Sequence, residues 1–457
     1  MMNRSALGEP TKPTPDVAAL LAQAQRPGEE ALRLHPFYHG KLEVTPKCPI
    51  HSCDDFSVWY SPGVAAPCRD IAAHPEQVFA HTNKANFVAV VSDGTRVLGL
   101  GDIGPHAALP VMEGKAVLFK YLGGVDAFPI CLGTKDPEEI IQACKWLEPS
   151  FGGINLEDIA KPKCFYILER LRQEMTIPVW HDDQQGTAAV TLAGLINALK
   201  IVGKPKDSVR IALIGAGAAN IAVVRILIAA GFPPQNMLMV DSRGILHRAR
   251  NDLNTADNQC KWRICELTNR EQRSGGIAEA LRGADVCIAL AKSGPGVIKP
   301  EWVAEMAQDA IVFACANPVP EIWPWEAAAA GARIVATGRS DFPNQVNNSL
   351  GFPGIFRGVI DVAASTITDE MCIAAADELA RCGARRGLSE KRILPTMDEW
   401  EIFPREAAAV GLKAIEQGVA GRSLTKMKLI ENATKIIERA QRQTRVLMQE
   451  GIIAPSA

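Results

Sequence analysis

The spacing of apolar and polar positions predicts an alternation of strands and helices in the first part of the chain. Short apolar runs alternate with helical periodicity up to about residue 178, which is typical of an α/β domain. These segments are Phe87–Val91, Val97–Leu100, Lys115–Leu122, Ala127–Cys131 and Pro137–Leu147. The residues before them, 1 to about 26, are expected to be a flexible or partly helical lead that ends at Pro27 and Gly28.

A second α/β unit is predicted from residue 182 onward. Thr187–Val202 has the pattern of a long apolar helix, and Val209–Ile214 has the composition of a buried strand. Further strands are predicted at Met237–Val240, Asp285–Leu290, Ile311–Ala314 and Arg333–Ala336. Strands that alternate with helices imply a parallel, doubly wound sheet. Helical patterns then follow at Gly358–Ala364, Asp369–Arg381, Arg405–Gln417 and Lys426–Gln449.

A glycine-rich turn connects the strand at Val209–Ile214 to a helix. Its candidate ligand-binding residues are Gly215, Gly217, Ala218 and Asn220. The first glycine permits a tight turn, the second lets a pyrophosphate approach the backbone, and the helix N-terminus binds phosphate. Asp241 ends the next strand, where an acid typically binds a ribose 2′-hydroxyl. The turn alone is a weak signal, but in this context it predicts a dinucleotide site, with Asn220 in place of the usual small residue.

The charges near Asp241 leave the choice between NAD and NADP open. A carboxylate at this position repels a 2′-phosphate, which favours NAD. Ser242 and Arg243 follow directly, and arginine binds phosphate well, which favours NADP. Further basic residues nearby are His247, Arg248 and Arg250. We expect NAD, because the carboxylate at the strand end lies closer to the 2′ position than charges on the following loop.

Two acidic pairs lie far apart in the sequence, Glu157-Asp158 and Asp182-Asp183. Carboxylates are hard oxygen ligands that suit Mg²⁺ or Mn²⁺, and neighbouring like charges are stabilised by a cation. Each pair also has an ordinary explanation. Asp182 or Asp183 can cap the following helix, and Glu157-Asp158 can lie in an exposed loop.

Six segments, in this order along the chain, resemble motifs of the malic enzyme family. They are Tyr60–Val64, Val97–Gly104, Pro110–Lys115, Asn155–Asp158, His181–Thr187, and Asn347-Asn348 with Gly351–Gly354. The resemblance is to the small microbial form, an oxaloacetate-decarboxylating malate dehydrogenase, and covers about residues 28–420. It implies oxidative decarboxylation of L-malate to pyruvate and CO₂ with NAD or NADP and with Mg²⁺ or Mn²⁺.

The resemblance also implies residue roles. Tyr60 corresponds to the general acid, Lys115 to the general base or proton shuttle, and Asp182 to the carboxylate that assists it. The implied metal ligands are Glu157, Asp158 and Asp183. The implied substrate contacts are Arg96, Asn317, Asn347 and Asn348. Asn317 is also expected to contact the nicotinamide. The other predicted cofactor contacts are those derived above from the sequence itself, namely the glycine-rich turn, Asp241, Ser242 and Arg243.

Pattern and resemblance together predict the domain organisation. We place the lead at residues 1–26, an N-terminal α/β substrate domain at 27–181, a doubly wound dinucleotide-binding (Rossmann-type) domain at 182–346, and a helix-rich part that packs back on the core at 347–457.

Composition narrows the class of partner. Lys and Arg total 49 and Asp and Glu 51, so the basic excess of nucleic-acid-binding proteins is absent. No apolar run reaches about 18 residues, so no membrane span is expected. The 12 cysteines form no C-x-x-C pair and are expected to be free thiols in a reducing compartment. The composition therefore predicts a cytoplasmic protein that binds neither nucleic acid nor a membrane. The resemblance implies malate and pyruvate as its ligands, and we expect a homodimer or a larger homo-oligomer.

Two other functions fit the same residues. A malolactic-type decarboxylase would retain its NAD and release lactate. A catalytically silent dinucleotide-binding regulator would not need Tyr60, Lys115 and the three acids, so their presence argues against it.

Overall fold

The computed structural model describes residues 17–456 and divides into two units, one up to Lys41 and one over Leu42–Pro455. The described part of the first unit contains helix α1 (Val17–Tyr38). This helix continues through Pro27 and Gly28, so the expected end at these residues is wrong. The residues that follow, Glu29–Leu34, have high helix propensity and extend the helix past the proline. The predicted lead before residue 17 lies outside the described residues.

The second unit begins with three short helices. They are α2 (Phe56–Trp59), α3 (Ala65–Ala73) and α4 (Val78–His81), and none of them contains a buried residue. Large apolar side chains are exposed in and around this segment, at Val44, Ile50, Phe56, Val58, Trp59 and Tyr60.

A four-stranded parallel sheet follows, in the strand order β2-β1-β3-β4. Its elements are β1 (Phe87–Ser92), α5 (Gly104–Gly123), β2 (Asp126–Cys131), α6 (Pro137–Leu147), β3 (Gly153–Leu156), α7 (Lys163–Glu174) and β4 (Val179–His181). The predicted apolar segment Val97–Leu100 is not a strand. It lies in a loop where Leu98 and Leu100 are 57% and 70% exposed, because a short apolar run need not be buried.

The second sheet has six strands in the order β10-β9-β8-β5-β6-β7, and only the β6–β7 pair is antiparallel. The chain enters it through a π-helical turn (Asp182–Gly186) and α8 (Thr187–Val202). The elements that follow are β5 (Ile211–Ile214), α9 (Ala218–Ala229), β6 (Met237–Asp241), β7 (Gly244–Ile245), α10 (Gln259–Leu267), α11 (Ile277–Leu281), β8 (Val286–Ala289), α12 (Pro300–Ala304), β9 (Ala310–Ala314), α13 (Pro324–Ala329) and β10 (Ala332–Thr337). The predicted doubly wound, largely parallel sheet is confirmed.

Helix α8 forms part of the main hydrophobic core. Within the described residues, the segment Asp182–Val202 is the one helical stretch with the length and composition of a membrane span, and 72% of its apolar window is buried inside the protein.

All twelve cysteines are free thiols, as expected, and seven of them are buried.

Four helices complete the fold, α14 (Phe352–Asp361), α15 (Asp369–Arg385), α16 (Ile402–Glu416) and α17 (Lys426–Gln449). Helix α14 begins six residues before the predicted Gly358, with Pro353 in its first turn, where proline is favoured. Its aromatic rings pack on α5 of the first sheet domain. The ring centroids of Phe352 and Phe356 lie 4.6 and 5.1 Å from the ring centroid of Phe119.

The contact between α14 and α16 leaves no room for a side chain at Gly358. A Cβ there would lie 2.4 Å from the backbone oxygen of Ala407. We expect Gly358→Ala to lower the free energy of unfolding by about 1–3 kcal/mol, because overpacking forces two helices apart. Urea unfolding measures this effect. The matched control is Gly114→Ala in α5, where the Cβ meets open space, and it should be neutral or slightly stabilising.

Candidate functional site

The two acidic pairs meet at one edge of the first sheet. Glu157 and Asp158 directly follow β3, and Asp182 and Asp183 directly follow β4. These strands are adjacent and parallel, so their carboxyl ends lie side by side, where open α/β sheets bind ligands. The sheet topology therefore brings together two pairs of carboxylates that are far apart in the sequence.

Lys115 of α5 lies among these carboxylates. Its Nζ is 2.5 Å from Asp182 Oδ2 and 3.1 Å from Glu157 Oε1, and the side chain is only 8% exposed. The ammonium also lies over the Phe352 ring, 4.3 Å from its centroid. The predicted residues Lys115, Glu157 and Asp182 thus form one buried ionic cluster.

Neighbouring side chains fix the orientation of this cluster. Trp180 Nε1 donates to Asp182 Oδ1 at 3.1 Å, and the amide of Asn348 donates to Asp182 Oδ2. Asn155 Nδ2 donates to Glu157 Oε2 at 2.8 Å. The buried carboxylates are thereby held in place by polar side chains as well as by Lys115.

Asp158 and Asp183 form the second half of the cluster. The backbone N–H of Asp158 donates to Asp183 Oδ2 at 3.0 Å, and Asp158 Oδ1 accepts from the Leu98 N–H at 3.3 Å. The other carboxylate oxygen of Asp158, Oδ2, is buried and has no hydrogen-bond partner among the described residues. A buried carboxylate oxygen without a partner is costly and suits a ligand that supplies positive charge.

Burial and the neighbouring charges shift the pKa values of these groups. Burial raises the pKa of Asp158 to about 7, and the nearby charge of Asp183 adds to the effect. Burial also raises the pKa of Glu157 well above its usual value, although Lys115 opposes this. Burial alone would lower the pKa of Lys115, but the carboxylates of Asp182 and Glu157 outweigh it and raise the pKa.

His181 lies beside the second pair, with Nδ1 3.7 Å from Asp183 Oδ2. Burial lowers its pKa, and neither ring nitrogen has a hydrogen-bond partner in the described part of the chain. Within residues 17–456 no three His, Cys, Asp or Glu side chains form a ready-made metal site.

The loop at residues 96–101 lies beside the cluster. The Arg96 N–H donates to the backbone oxygen of Asp158 at 2.9 Å, and the Arg96 guanidinium, which is exposed, donates to the Leu98 carbonyl. A Cβ on Gly99 would lie 3.0 Å from the Asn317 backbone oxygen. The predicted Arg96 and Asn317 are therefore close to the acidic cluster.

The asparagines at 347 and 348 have different partners. Asn348 contacts Asp182, as described above, whereas Asn347 Nδ2 donates to the Gly338 carbonyl at 3.1 Å. Gly338 also lies next to the Asn317 amide, since a Cβ there would be 3.1 Å from Asn317 Nδ2. Asn317 and Asn347 thus flank one backbone segment.

Tyr60 is apart from this arrangement. It follows α2 at the surface, its side chain is 72% exposed, and it makes no hydrogen bond to the acidic cluster within the described residues. The fold of one chain does not bring this predicted residue together with Lys115.

The glycine-rich turn lies between β5 and α9, as predicted. Gly215 has a φ of +99°, and a Cβ there would meet the Leu290 backbone oxygen at 2.6 Å, so the turn requires glycine. A Cβ on Gly217 would point into open space, which leaves room for a ligand against the backbone. Ala218 is the first residue of α9, which packs against the Asp182–Gly186 turn.

Asn220 supports the turn from within. Its side chain is buried, and Nδ2 donates to the carbonyls of Ile214 and Gly215 at 3.0 and 2.8 Å. The unusual residue at this motif position therefore braces the turn through hydrogen bonds.

Several residues that shape the site were not among the predicted site residues. Asn155, Trp180 and Lys161 belong to this group, and Lys161 Nζ donates to the Ala216 carbonyl of the glycine-rich turn at 3.1 Å. The fold brings these residues next to the acidic cluster or the glycine-rich turn. A polar residue next to an acidic pair, as in Asn155-Leu156-Glu157, is the only hint in the sequence.

Comparison with known proteins places the chain in a family. The model of the malic enzyme N-terminal domain matches residues 39–172, and that of the malic enzyme NAD-binding domain matches residues 184–415. Together these matches span more than half of the chain.

Individual relatives agree with these matches. The bifunctional malic/malolactic enzyme of Bacillus subtilis is 49% identical over 89% of this chain and 98% of its own length. The NAD-dependent malic enzyme of Geobacillus stearothermophilus is 52% identical over 83% of this chain and 78% of its own. The crystal structure of Entamoeba histolytica malic enzyme superimposes with a TM-score of 0.93 at 47% identity and covers 96% of this chain and 92% of that one. The chain therefore belongs to the malic enzyme family and is an oxidoreductase.

Proposed function

We propose that this enzyme oxidises and decarboxylates L-malate to pyruvate and CO₂, reduces NAD(P), and requires a divalent cation. The observation that carries the proposal is the buried contact of Lys115 with Asp182 and Glu157, next to Asp158 and Asp183 and close to a dinucleotide turn. The family of the chain and its relatives' names support the same reaction.

Glu157, Asp158 and Asp183 are the proposed metal ligands. The Lys115 ammonium pairs with Asp182 and Glu157, whereas Asp158 and Asp183 contact each other and Asp158 Oδ2 lacks a partner among the described residues. Although no three of these side chains already form a metal site in the described residues, this excess of carboxylate oxygens fits a hard divalent cation. When bound, such a cation polarises the malate hydroxyl and stabilises the negative charge left by loss of CO₂. A dinucleotide held at the glycine-rich turn would supply the acceptor for the hydride from C2 of malate.

Lys115 is the proposed proton shuttle. Oxidation at C2 of malate releases the proton of its hydroxyl, which needs an acceptor in a site that excludes water. Lys115 is an ammonium in this structure and donates to Asp182 through a 2.5 Å hydrogen bond, along which it can give up its proton. A divalent cation at the neighbouring carboxylates would lower its pKa and favour the neutral amine, which can then accept the hydroxyl proton. Trp180 and Asn348 hold Asp182 in the orientation that keeps this contact.

The remaining residues have proposed roles in substrate binding and protonation. Arg96 is proposed to bind a malate carboxylate, and Asn317, Asn347 and Asn348 are proposed to contact substrate or nicotinamide. Tyr60 is the proposed acid that protonates the enol of pyruvate. This role is supported by the resemblance of its motif, and it requires that a second copy of the chain or a movement of its segment bring the exposed hydroxyl to the cluster.

Replacement of Tyr60 by phenylalanine tests its role. We expect Tyr60→Phe to lower kcat by about 100-fold or more, because only the acidic hydroxyl is removed. Dinucleotide binding should be unchanged, and steady-state kinetics with calorimetry measures both. The control is Tyr166→Phe, since Tyr166 is an exposed tyrosine of α7 bonded to Glu138, and its kcat should stay within about twofold of wild type. A Tyr60→Phe enzyme at wild-type rate would show that another group protonates the enol.

A malolactic-type reaction is the second candidate, favoured by the bifunctional Bacillus subtilis relative. In that reaction the cofactor stays bound and lactate is the product. The two reactions differ in whether reduced cofactor accumulates.

The proposed assembly is a homodimer or a larger homo-oligomer in the cytoplasm. The exposed apolar side chains at residues 44–60 support association, because monomers rarely expose such a cluster. The free thiols support a reducing compartment. Sedimentation velocity of the full chain measures the assembly.

An assay of the full chain with L-malate, Mn²⁺ and either cofactor tests the proposed activity. We expect the absorbance of reduced nicotinamide to rise only when malate, cation and cofactor are all present. A flat absorbance with both cofactors would contradict oxidative turnover.

A further inference from the structure

The carboxylate of Asp241, at the end of β6, is fully engaged by the protein. Arg250 Nη1 donates to Oδ1 at 2.6 Å and Arg250 Nη2 donates to Oδ2 at 3.1 Å. Lys261 Nζ donates to Oδ2 at 3.0 Å, and the Arg243 N–H donates to Oδ1 at 2.9 Å. Each oxygen already accepts two hydrogen bonds, so neither is available to a ribose hydroxyl.

The charges around Asp241 sum to a positive value. Hydrogen bonds from Arg250 and Lys261 lower the pKa of Asp241 and outweigh the opposing effect of burial, so this acid is ionised. Asp252 pairs with Arg250 at 2.7 Å and with Arg243 at 3.2 Å. Two carboxylates therefore face three cations, Arg243, Arg250 and Lys261, and one positive charge remains.

The three cations differ in what they can still bind. All five N–H groups of Arg250 are used, since Nε donates to Asp252, Nη1 to Asp241 and Gly244, and Nη2 to Asp241 and Asp252. Lys261 uses one of its three N–H groups on Asp241. The Arg243 guanidinium is 69% exposed and contacts only Asp252 within the described residues. Free donors therefore lie on Lys261 and Arg243.

These donors lie near the glycine-rich turn. Strand β6, which ends at Asp241, pairs with β5, which leads into the turn. Lys161 donates to the Ala216 carbonyl of the turn, and the charge of Lys261 helps to lower the pKa of Lys161, after the larger effect of burial. Lys261 is thus within electrostatic range of a residue that contacts the phosphate-binding turn.

We propose that this enzyme binds NADP in preference to NAD, with Lys261 and Arg243 binding the 2′-phosphate. Arg250 is a positioning residue that neutralises Asp241 and Asp252. The proposal rests on the proposed function only in that the chain binds a nicotinamide dinucleotide. It replaces the expectation of NAD, which rested on repulsion between a 2′-phosphate and the Asp241 carboxylate at the strand end. A 2′-phosphate carries about −1.5 to −2 charges and is best bound by donors that are not already saturated.

Calorimetric titration of the full chain with 2′,5′-ADP and with 5′-AMP tests this proposal without turnover. We expect wild type to bind 2′,5′-ADP at least about 10-fold more tightly. Lys261→Ala should remove most of this preference and leave 5′-AMP affinity within about twofold, which also shows that the variant is folded. The matched control is Arg263→Ala, because Arg263 is an exposed cation of the same helix, two residues along and on the opposite face. It should keep the preference.

The outcomes separate this proposal from the proposed activity. Equal or weaker binding of 2′,5′-ADP, or an equal loss for both ligands in Lys261→Ala, would overturn the phosphate site even if malate is oxidised. A strong preference for 2′,5′-ADP that depends on Lys261 would support the site even if malate is not a substrate.

Discussion

Replacing Lys115 by alanine is expected to lower kcat by about 100- to 10,000-fold, the range for loss of a general acid–base group. The lysine is the single cation within hydrogen-bond distance of Asp182 and Glu157 among the described residues, so no neighbouring ammonium can replace it. Steady-state kinetics measures kcat, and thermal unfolding verifies that the protein folds. Lys115→Arg retains the positive charge but not a readily transferable proton, and it should be inactive as well.

Lys120 provides the control for this prediction. It lies on the same helix as Lys115, but its ammonium is 39% exposed and pairs with Asp126 outside the cluster. Surface ion pairs contribute about 0–1 kcal/mol, so Lys120→Ala should remain close to wild type in rate. A Lys115→Ala enzyme with kcat within tenfold of wild type would remove Lys115 from the reaction.

Removing divalent cations is expected to abolish turnover. A chelator should lower kcat below detection, and Mg²⁺ or Mn²⁺ should restore it, because a hard cation supplies the charge that the four clustered carboxylates require. Asp183→Asn should raise the Mn²⁺ concentration needed for half-maximal rate by at least about 10-fold, since a neutral amide is a weaker ligand. Titrating Mn²⁺ into the metal-free enzyme measures this shift.

Asp207→Asn is the matched control for Asp183→Asn. Asp207 is exposed in the loop between α8 and β5, so its neutralisation should leave the Mn²⁺ requirement unchanged. Undiminished turnover in excess chelator would contradict the metal role of Glu157, Asp158 and Asp183.

The periodic segments of the chain were predictable because local pattern and burial agree. Thr187–Val202 is apolar on nearly all sides and ends before Gly203, and the helix has these bounds in the structure. The apolar pattern and the proline signal gave wrong predictions at two places. Leu98 and Leu100 are apolar yet exposed, and α1 continues through Pro27.

The candidate site was predictable in part. Carboxyl ends of neighbouring parallel strands meet at one edge, so two acidic pairs after strands can be expected to converge. The pairing of Lys115 with Asp182 spans 67 residues, and only the family resemblance pointed to it. The hydrogen bond from Lys261 to Asp241 joins α10 to the end of β6 across 20 residues, and no local pattern specifies it.

The stoichiometry of the reaction tests the central claim most directly. The full chain is incubated with a known amount of L-malate, Mn²⁺ and excess oxidised cofactor, and pyruvate, lactate, CO₂ and reduced cofactor are quantified. Oxidative decarboxylation predicts pyruvate, CO₂ and reduced cofactor in equal amounts, without lactate. Lactate formed with CO₂ but without reduced cofactor would contradict it and would identify the malolactic reaction instead.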